Sequence, residues 1–391
     1  MPASLEEKKT YPLSNQFQGN SPRVALIINP ISGGKKKKKI VATLAKHLED
    51  RHFAVKIFWT ERPKHAIFIA QELKNLEYEY AVVIAGDGTF NEVASQLVGS
   101  KTVVSIFPSG SGNGWAKNFS YTKNLKTWLL AFERLQTRLV DVGKIGEHYF
   151  FNVASVGFVA EVSASFQGLK KRGIRAYFFD LFRSIQNFRL YAMRLSINLL
   201  QSSRHKNFWQ PKNHPSPPDS LFFNQFQNAL VEKKQQEKQT EEVFTNYPTE
   251  EVVFSNLDFF LGRTFGGFLR PFPRKNLEEG VLNVIISNPW GDFFSVPMAK
   301  QKKLSFLQKI KNFFWLLQGF FFIFSRYLFG WFPNNIFLLE EKVRQAEILP
   351  SFLSQPQKIL IQVDGEPREI LLAPGDSLRV KILPQAFKVL V

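Results

Sequence analysis

The tetrapeptide Gly86-Asp87-Gly88-Thr89 carries the sharpest chemical signal in the sequence. It lies between an apolar run from Ala81 to Ala85, which predicts a buried strand, and a helical pattern from Thr89 to Leu97. The two glycines let the backbone pass close to phosphate groups, and the carboxylate of Asp87 can reach Mg²⁺ or a substrate hydroxyl at the strand tip. The alternative interpretation is an ordinary turn with Asp87 near the helix cap.

A second glycine-containing loop, Asn29-Pro-Ile-Ser-Gly-Gly34, directly follows the apolar run Val24 to Asn29. Its backbone N–H groups and the following helix N-terminus suit a phosphate group. The spacing differs from the Walker pattern GxxxxGK[ST], which excludes a P-loop enzyme. The adjoining Lys35 to Lys39 either supports an anion or forms a solvated helix face.

The third loop, Pro108-Ser-Gly-Ser-Gly-Asn-Gly114, follows the strand pattern Thr102 to Phe107. Its glycine spacing is not GxGxxG, and no acidic residue follows at a second strand end as a dinucleotide site requires. We therefore expect an adenine or phosphate contact, with a plain turn as the alternative. Near the C-terminal end, Val363-Asp364-Gly365-Glu366-Pro367 contains the commonest hairpin dipeptide, and taken alone it favours a simple hairpin.

The elements around these loops alternate between β-branched runs and helical patterns from Arg23 onward. Such alternation predicts a parallel α/β sheet that binds ligands at the carboxyl ends of its strands, where all three loops lie. After Asp141 the sequence becomes rich in Phe and resembles a mainly antiparallel β domain. The sequence therefore predicts three regions: a flexible N-terminus (1–22), an α/β nucleotide-binding domain (23–140) and a β-rich domain (141–385). A final strand near 386–391 is expected to return to the α/β domain, and the β-rich domain contains a flexible insertion at about 201–250.

Composition narrows the function classes. Lys and Arg outnumber Asp and Glu by 51 to 33, so the net charge of +18 attracts nucleotides, nucleic acid or an anionic bilayer. The absence of Cys and the scatter of six His argue against a disulfide framework and a zinc site. The polar N-terminal stretch has no apolar signal region, which predicts a cytoplasmic protein.

The segment 312–332 is unusually rich in aromatic residues. Gln318, Ser325 and Arg326 interrupt it, so its apolar run is too short to span a bilayer. Lysines precede it, and Trp315, Tyr327 and Trp331 are residues favoured at headgroup depth. The two interpretations are a helix pair at the membrane interface and a buried, Phe-rich helix.

Taken together and in order, these stretches resemble the catalytic family of diacylglycerol kinases, which includes bacterial lipid kinases and sphingosine and ceramide kinases. NPISGG resembles the NPxSG opening, AGDGTFNEV resembles GGDGTxNEV, and PSGSGNGWAK resembles PxGTxNDxAR. TERPKHA (Thr60 to Ala66) and the VDGE stretch also fall where the family has corresponding blocks.

The resemblance implies a set of site residues, with ATP and Mg²⁺ as cofactors. Asp87 and Asp141 would organise Mg²⁺, Glu279 stands where bacterial members have an Asp for a structural Mg²⁺, and Glu366 would be the general base on the lipid hydroxyl. The residues expected to line the nucleotide site are Asn29, Ser32, Thr60, Gly86, Asp87, Gly88, Thr89, Gly110, Ser111 and Asn113.

The predicted function is an ATP-dependent lipid kinase that is cytoplasmic and peripherally membrane-associated. Diacylglycerol is the favoured acceptor, because Ser163 stands where sphingosine kinases place an acidic residue and only Glu161 is acidic nearby. The expected partners are a lipid at a membrane surface and an anionic bilayer, with a homodimer as a further possibility and no nucleic acid. The alternatives are a sphingoid base or ceramide kinase, an NAD kinase, and a non-enzymatic protein that binds anionic membranes or nucleic acid.

Overall fold

The fold was examined in a computed structural model. The structure describes residues 21–32, 37–110, 112–119, 121–167, 191–199, 249–254, 256–263, 271–272, 276–287, 318, 321, 323, 325–327, 338–350 and 356–391. Several predicted features lie outside these residues: the first 20 residues of the predicted N-terminal segment 1–22, Ser111, the insertion as far as residue 248, Trp315 and Trp331.

The first part of the described chain alternates strands and helices. Its elements are β1 (Arg23–Ile28), α1 (Lys37–Glu49), β2 (Ala54–Trp59), α2 (His65–Asn75), β3 (Tyr80–Ala85), α3 (Asp87–Leu97), β4 (Val103–Pro108), α4 (Gly114–Asn118) and α5 (Leu125–Glu133). The strands pair in the order β4-β3-β1-β2, and all three pairings are parallel. Strands β1, β3 and β4 are almost continuously apolar, so both faces of the sheet must be covered. Helices on both sides cover them, and nearly every residue of the three strands is buried.

The second part is mainly antiparallel, as the sequence predicts. Its elements are β5 (Thr137–Ile145), β6 (His148–Phe150), β7 (Val153–Gly157), α6 (Phe158–Gln167), β8 (Tyr191–Leu199), β9 (Thr249–Phe254), β10 (Asn256–Phe260), β11 (Leu282–Ser287), β12 (Leu338–Pro350), β13 (Gln357–Val363), β14 (Glu366–Leu372) and β15 (Leu378–Leu390). The order along this part of the sheet is β14-β13-β7-β10-β11-β12-β15.

Strand β15 joins the two parts into one sheet. Its first residues pair with β12 in the antiparallel direction, and Val389 pairs with Val104 of β4 in the parallel direction. Between these pairings the register with β5 shifts, and Gln385 takes a positive φ of 50°. A shift of this kind leaves a backbone N–H without a strand partner, and the carboxylate of Asp141 accepts that N–H of Gln385 at 3.0 Å.

Two helices begin at residues that differ from the expected ones. Helix α3 begins at Asp87, not at Thr89, so most of the Gly-Asp-Gly-Thr motif forms the first turn of the helix. An acidic residue is favourable there because the helix dipole stabilises negative charge. The sequence from Pro63 to Leu76 predicts a helix with Pro in its first turn. Helix α2 begins instead at His65, because Lys64 takes a left-handed conformation (φ 63°), so Pro63 precedes the helix.

The described residues of the aromatic segment divide into exposed and buried ones. Phe321 is 60% exposed, whereas Tyr327 and Arg326 are buried. No helix within the described ranges is long and apolar enough to cross a membrane.

Candidate functional site

The site begins at the carboxyl end of β1, where Asn29 organises the first loop. Its side-chain oxygen accepts the backbone N–H of Ile31 at 3.0 Å, and its Nδ2 donates to Thr89 Oγ1 at 3.0 Å. The hydroxyl of Ser32 donates to the Asn29 carbonyl at 3.3 Å. Asn29 therefore folds its own loop and ties it to the first turn of α3.

Lys37, the first residue of α1, closes this loop from the other side. Its ammonium group donates to the Asn29 carbonyl and to Ser32 Oγ, the latter at 2.6 Å. The side chain is buried, and burial lowers the pKa of Lys37 to about 8.

The second and third loops meet through two glycines. A Cβ atom on Gly110 would lie 2.6 Å from the Cα of Gly86, so only glycine permits this approach of the two backbones. Next to this contact the Asp87 carboxylate accepts the backbone N–H groups of Gly114 at 3.0 Å and Trp115 at 3.1 Å. Asp87 thus holds the third loop against the second.

The third loop is also stabilised by one of its own side chains, Asn113, and by Lys123. Asn113, in the left-handed region at φ 52°, accepts the N–H of Gly110 and donates to the carbonyl of Gly110, both at 2.8 Å. Lys123 Nζ also donates to that carbonyl at 3.0 Å. Ser109 is buried, and its Oγ makes no hydrogen bond.

Thr60 lies at the same edge of the sheet, directly after β2. It is buried, and its backbone N–H donates to the carbonyl of Ile28 at 2.8 Å. Asn29, Thr60 and the Gly86 loop therefore follow three neighbouring parallel strands at their carboxyl ends, as the sequence predicts.

The DGE stretch is a tight hairpin and also part of the site. Asp364 and Gly365 have positive φ values of 49° and 93°, which a two-residue turn of type I′ requires. The turn places Glu366 beside α3, where its Oε1 lies 2.5 Å from the position of a Cβ on Gly88. Its other oxygen, Oε2, accepts from Arg368 at 2.6 Å.

Asp364 anchors this hairpin. Its carboxylate accepts four hydrogen bonds, from the backbone N–H groups of Phe151, Asn152 and Val153 and from Asn91 Nδ2. Burial raises the pKa of Asp364 to about 6, although these four donors favour the ionised form. Because Asn91 belongs to α3, the hairpin is fixed directly to the helix that carries Asp87.

Glu92, one helical turn after Gly88, is a further acidic residue at this contact. It accepts the backbone N–H of Lys64, and its charged neighbours are Glu366, Arg368 and Lys64. Burial, followed by the negative charge of Glu366, raises the pKa of Glu92. The site therefore holds two carboxylates and one guanidinium at the start of β14.

The other proposed metal ligands, Asp141 and Glu279, lie beside a different turn. Asp141 accepts the backbone N–H of Gly280 at 2.6 Å in addition to that of Gln385. Glu279 accepts the N–H of Asn276 at 3.0 Å and has the ammonium group of Lys342 at 3.9 Å. Within the part of the chain that the structure describes, no group of three acidic or His side chains could hold a metal ion.

The part of the chain that carries the three glycine-containing loops is similar to known proteins. Residues 23–145 match the family model of the diacylglycerol kinase catalytic domain. The resemblance noted in the sequence is thereby confirmed for this stretch, which contains the three glycine-containing loops and Asp141.

Relatives of the matched part of the chain are found among bacterial proteins. A diacylglycerol kinase of Staphylococcus epidermidis is 27% identical over 143 residues, which cover 36% of this chain and 45% of that protein. A diacylglycerol kinase of Staphylococcus saprophyticus is 30% identical over 146 residues, covering 36% of this chain and 47% of that protein. The matched part of the chain spans between 45% and 60% of the first curated relatives.

The fold extends further than the sequence match to the catalytic domain. A crystal structure of a diacylglycerol kinase from Bacillus anthracis superimposes with a TM-score of 0.58 at 12% identity, covering 95% of this chain and 98% of that one. At this identity the likeness concerns the fold alone.

Sequence reasoning did not assign roles to Lys37, Asn91 or Glu92. A signal for Lys37 was present, because Lys37, Val41, Leu44 and Leu48 share the spacing of one helix face and the last three are apolar. Asn91 and Glu92 stand within the GDGTFNEV motif, but their partners Asp364 and Glu366 are more than 270 positions away in the chain. No local pattern indicates such a contact.

Proposed function

We propose that the protein is an ATP-dependent lipid kinase that transfers the γ-phosphate of ATP to the hydroxyl of a membrane lipid. The observation that carries this proposal is the position of Glu366 against Gly88 in the first turn of α3. A carboxylate from the antiparallel part of the sheet is thereby presented to the edge where the three glycine-containing loops meet. Such a position suits a base acting on an acceptor that lies between the two parts.

The nucleotide would lie over the carboxyl ends of β1 to β4. Backbone N–H groups of the loops that contain Asn29, Gly86 and Gly110 would contact its phosphates. Thr60, Thr89 and Ser111 complete the proposed lining.

Asp87 would hold Mg²⁺, which when bound would supply neutralisation of the charge on the transferring phosphate. Asp87 fits this role, since each carboxylate oxygen that accepts one N–H keeps a second lone pair for a metal or its water. A structural Mg²⁺ at Asp141 and Glu279 stays a prediction, and Lys342 beside Glu279 would compete with it.

Glu366 would take the proton of the lipid hydroxyl as the new O–P bond forms and the bond to the ADP oxygen breaks. Arg368 fixes the orientation of its carboxylate through the Oε2 contact. The other carboxylate oxygen, Oε1, lies at Gly88, beside the sheet edge where the nucleotide is proposed to bind, and would accept the proton.

The acceptor is proposed to be a neutral lipid alcohol, with diacylglycerol first and a ceramide-like lipid second. Helix α6 carries Glu161 and Ser163, both half-buried, and packs against β13 and β14. A free sphingoid base would need a carboxylate for its ammonium group, and Ser163 offers none. We further propose that the protein works at an anionic membrane surface, to which its charge of +18 would attract it.

The test is a phosphorylation assay with labelled ATP, Mg²⁺ and matched mixed micelles of diacylglycerol, ceramide or sphingosine. We expect a labelled diacylglycerol product, and we expect Glu366→Gln to lose turnover while keeping its affinity for ATP. Labelling of NAD instead of any lipid would assign the protein to the NAD kinases. Polyanion binding without phosphorylation, unaffected by replacement of Asp87, would indicate a binding protein.

A further inference from the structure

The five consecutive lysines at positions 35–39 do not share one environment. Lys37 is only 4% exposed, whereas its neighbours Lys38 and Lys39 are exposed to solvent. The difference follows from helix geometry, because Lys37 precedes Val41 and Leu44 on the buried face of α1. Of the three lysines of this run that the structure describes, Lys37 alone has its ammonium group inside the protein.

The partners of this ammonium group are neutral. Lys37 Nζ contacts the Asn29 carbonyl and Ser32 Oγ, and none of the ion pairs formed by the described residues includes Lys37. A buried cation with only neutral acceptors has a high free energy compared with one that faces an anion. An ammonium group has three N–H donors, so one donor remains for a further acceptor.

Charged groups on the surrounding elements do not supply the missing counter-ion. On α5, Glu133 pairs with His47 and Arg51, which lie near the other end of α1. On α3, the Asp87 carboxylate is bonded to Gly114 and Trp115. The first turn of α1 contains no acidic residue, and the N-terminus of a helix itself attracts negative charge.

We propose that Lys37 is the counter-ion of a nucleotide phosphate and that nucleotide binding is coupled to uptake of a proton by this residue. The inference rests on the proposed function, because it takes the ligand to be a nucleotide bound at the loop of Asn29 and Ser32. It adds a phosphate-binding side chain and a dependence of nucleotide affinity on pH.

The direction of the coupling follows from the burial of Lys37. Its pKa of about 8 means that the side chain is largely neutral at pH 8.5, and a phosphate bound beside it favours the charged form. At pH 8.5 the nucleotide phosphates are already ionised, since the second phosphate pKa is about 6. Proton uptake at that pH therefore reports on the protein and not on the ligand.

The experiment is isothermal titration of Mg²⁺-ADP into the full chain at pH 6.5 and 8.5, each in two buffers of different ionisation enthalpy. The parent should take up a fraction of a proton at pH 8.5 and much less from Lys37 at pH 6.5. Lys38→Met, the matched control in the same run, should behave like the parent. Lys37→Met should lose the uptake and bind about 10- to 100-fold more weakly at pH 6.5, the range of a charge-assisted hydrogen bond.

The outcomes separate this inference from the proposed function. Two results would overturn the role of Lys37: equal nucleotide affinity of Lys37→Met and Lys38→Met, or equal heats for the parent in both buffers at pH 8.5. Either result would leave the proposed lipid kinase function unaffected. Failure of the parent to bind any nucleotide overturns both. The parent measurement needs no variant, so the proposal remains testable even if Lys37→Met does not fold.

Discussion

Glu366 Oε1 lies 2.5 Å from the position that a Cβ atom would occupy on Gly88. The two residues are 278 positions apart in the sequence and belong to the antiparallel and parallel parts of the sheet. A methyl group at position 88 would therefore displace the carboxylate end of a remote side chain. This relationship yields a direct test of Glu366.

Gly88→Ala should reduce turnover by about 10²- to 10⁴-fold, the range lost with a general base, because the new methyl group displaces Glu366. Nucleotide affinity should stay near that of the parent, since the loop backbone is unchanged. Turnover and the dissociation constant for ADP are the measurements.

A double-mutant cycle gives the control for Gly88→Ala. If the methyl group acts through Glu366, then Glu366→Gln and the double variant Gly88→Ala/Glu366→Gln should have equal turnover. A further large loss in the double variant would show that Gly88→Ala damages the nucleotide loop itself.

Asp87→Asn should lower the free energy of unfolding by about 1 kcal/mol in addition to reducing turnover. The cost arises because both carboxylate oxygens accept backbone N–H groups, and an amide NH₂ would oppose one of these donors. Urea denaturation monitored by circular dichroism measures the first effect. A variant as stable as the parent would mean that Asp87 does not hold the third loop.

Asp364→Asn should destabilise the fold much more than Asp376→Asn does. Four donors face its buried carboxylate, so the substitution should cost about 2–4 kcal/mol. Asp376→Asn is the matched control, because Asp376 is exposed and accepts one backbone N–H, from Ala373, at 2.8 Å. Equal midpoints of urea unfolding for the two variants would contradict this account.

The part of the fold that local patterns predict is the parallel one. Apolar runs such as Val24 to Ile28 make strands that must be buried on both faces, and this fixes where their loops lie. The placement of Asn29, Thr60 and Gly86 at one edge of the sheet follows from that rule alone. The sequence pattern predicts that α3 begins at Thr89, two residues after its true start at Asp87. The difference arises because Asp87 and Gly88 have low helix propensity, although an acidic residue is favourable in the first turn of a helix.

The contacts between distant segments could not be predicted in this way. Asn91 bonds to Asp364, and Asp141 bonds to Gln385, and each pair is separated by more than 240 positions. The residues next to Asn91 and Asp141 in the sequence give no sign of these partners. The burial of Lys37 is an intermediate case, because helix spacing indicates its face but not the depth of its ammonium group.

Stability should depend on pH through Lys37. In the folded chain this residue loses its proton near pH 8, and in the unfolded chain near 10.5, so the unfolded state binds more protons between these values. The free energy of unfolding should therefore rise by about 1–2 kcal/mol between pH 8 and 9.5 from this group. Denaturant unfolding of the parent and Lys37→Met checks this, since the difference between them should change with pH by that amount.

Phe321→Ser should weaken binding to anionic liposomes if the segment around it contacts the membrane. Phe321 is 60% exposed, and burial of an aromatic side chain in the interface would be favourable. Phe68→Ser is the control, because Phe68 is 54% exposed on α2 in the parallel part. Liposome sedimentation should separate the two variants. Equal binding by both would remove this segment from the membrane contact.

The position of β15 between β4 and β12 has a consequence for how the chain folds. The pairing of Val389 with Val104 joins residues 285 positions apart, and closing such a long loop precedes any gain from the contact. Until β15 arrives, β4 presents an unpaired edge of a largely apolar strand, which is a template for association with other chains. Folding is therefore expected to be slow and prone to aggregation at high concentration, with the attachment of β15 as the late step that protects both parts.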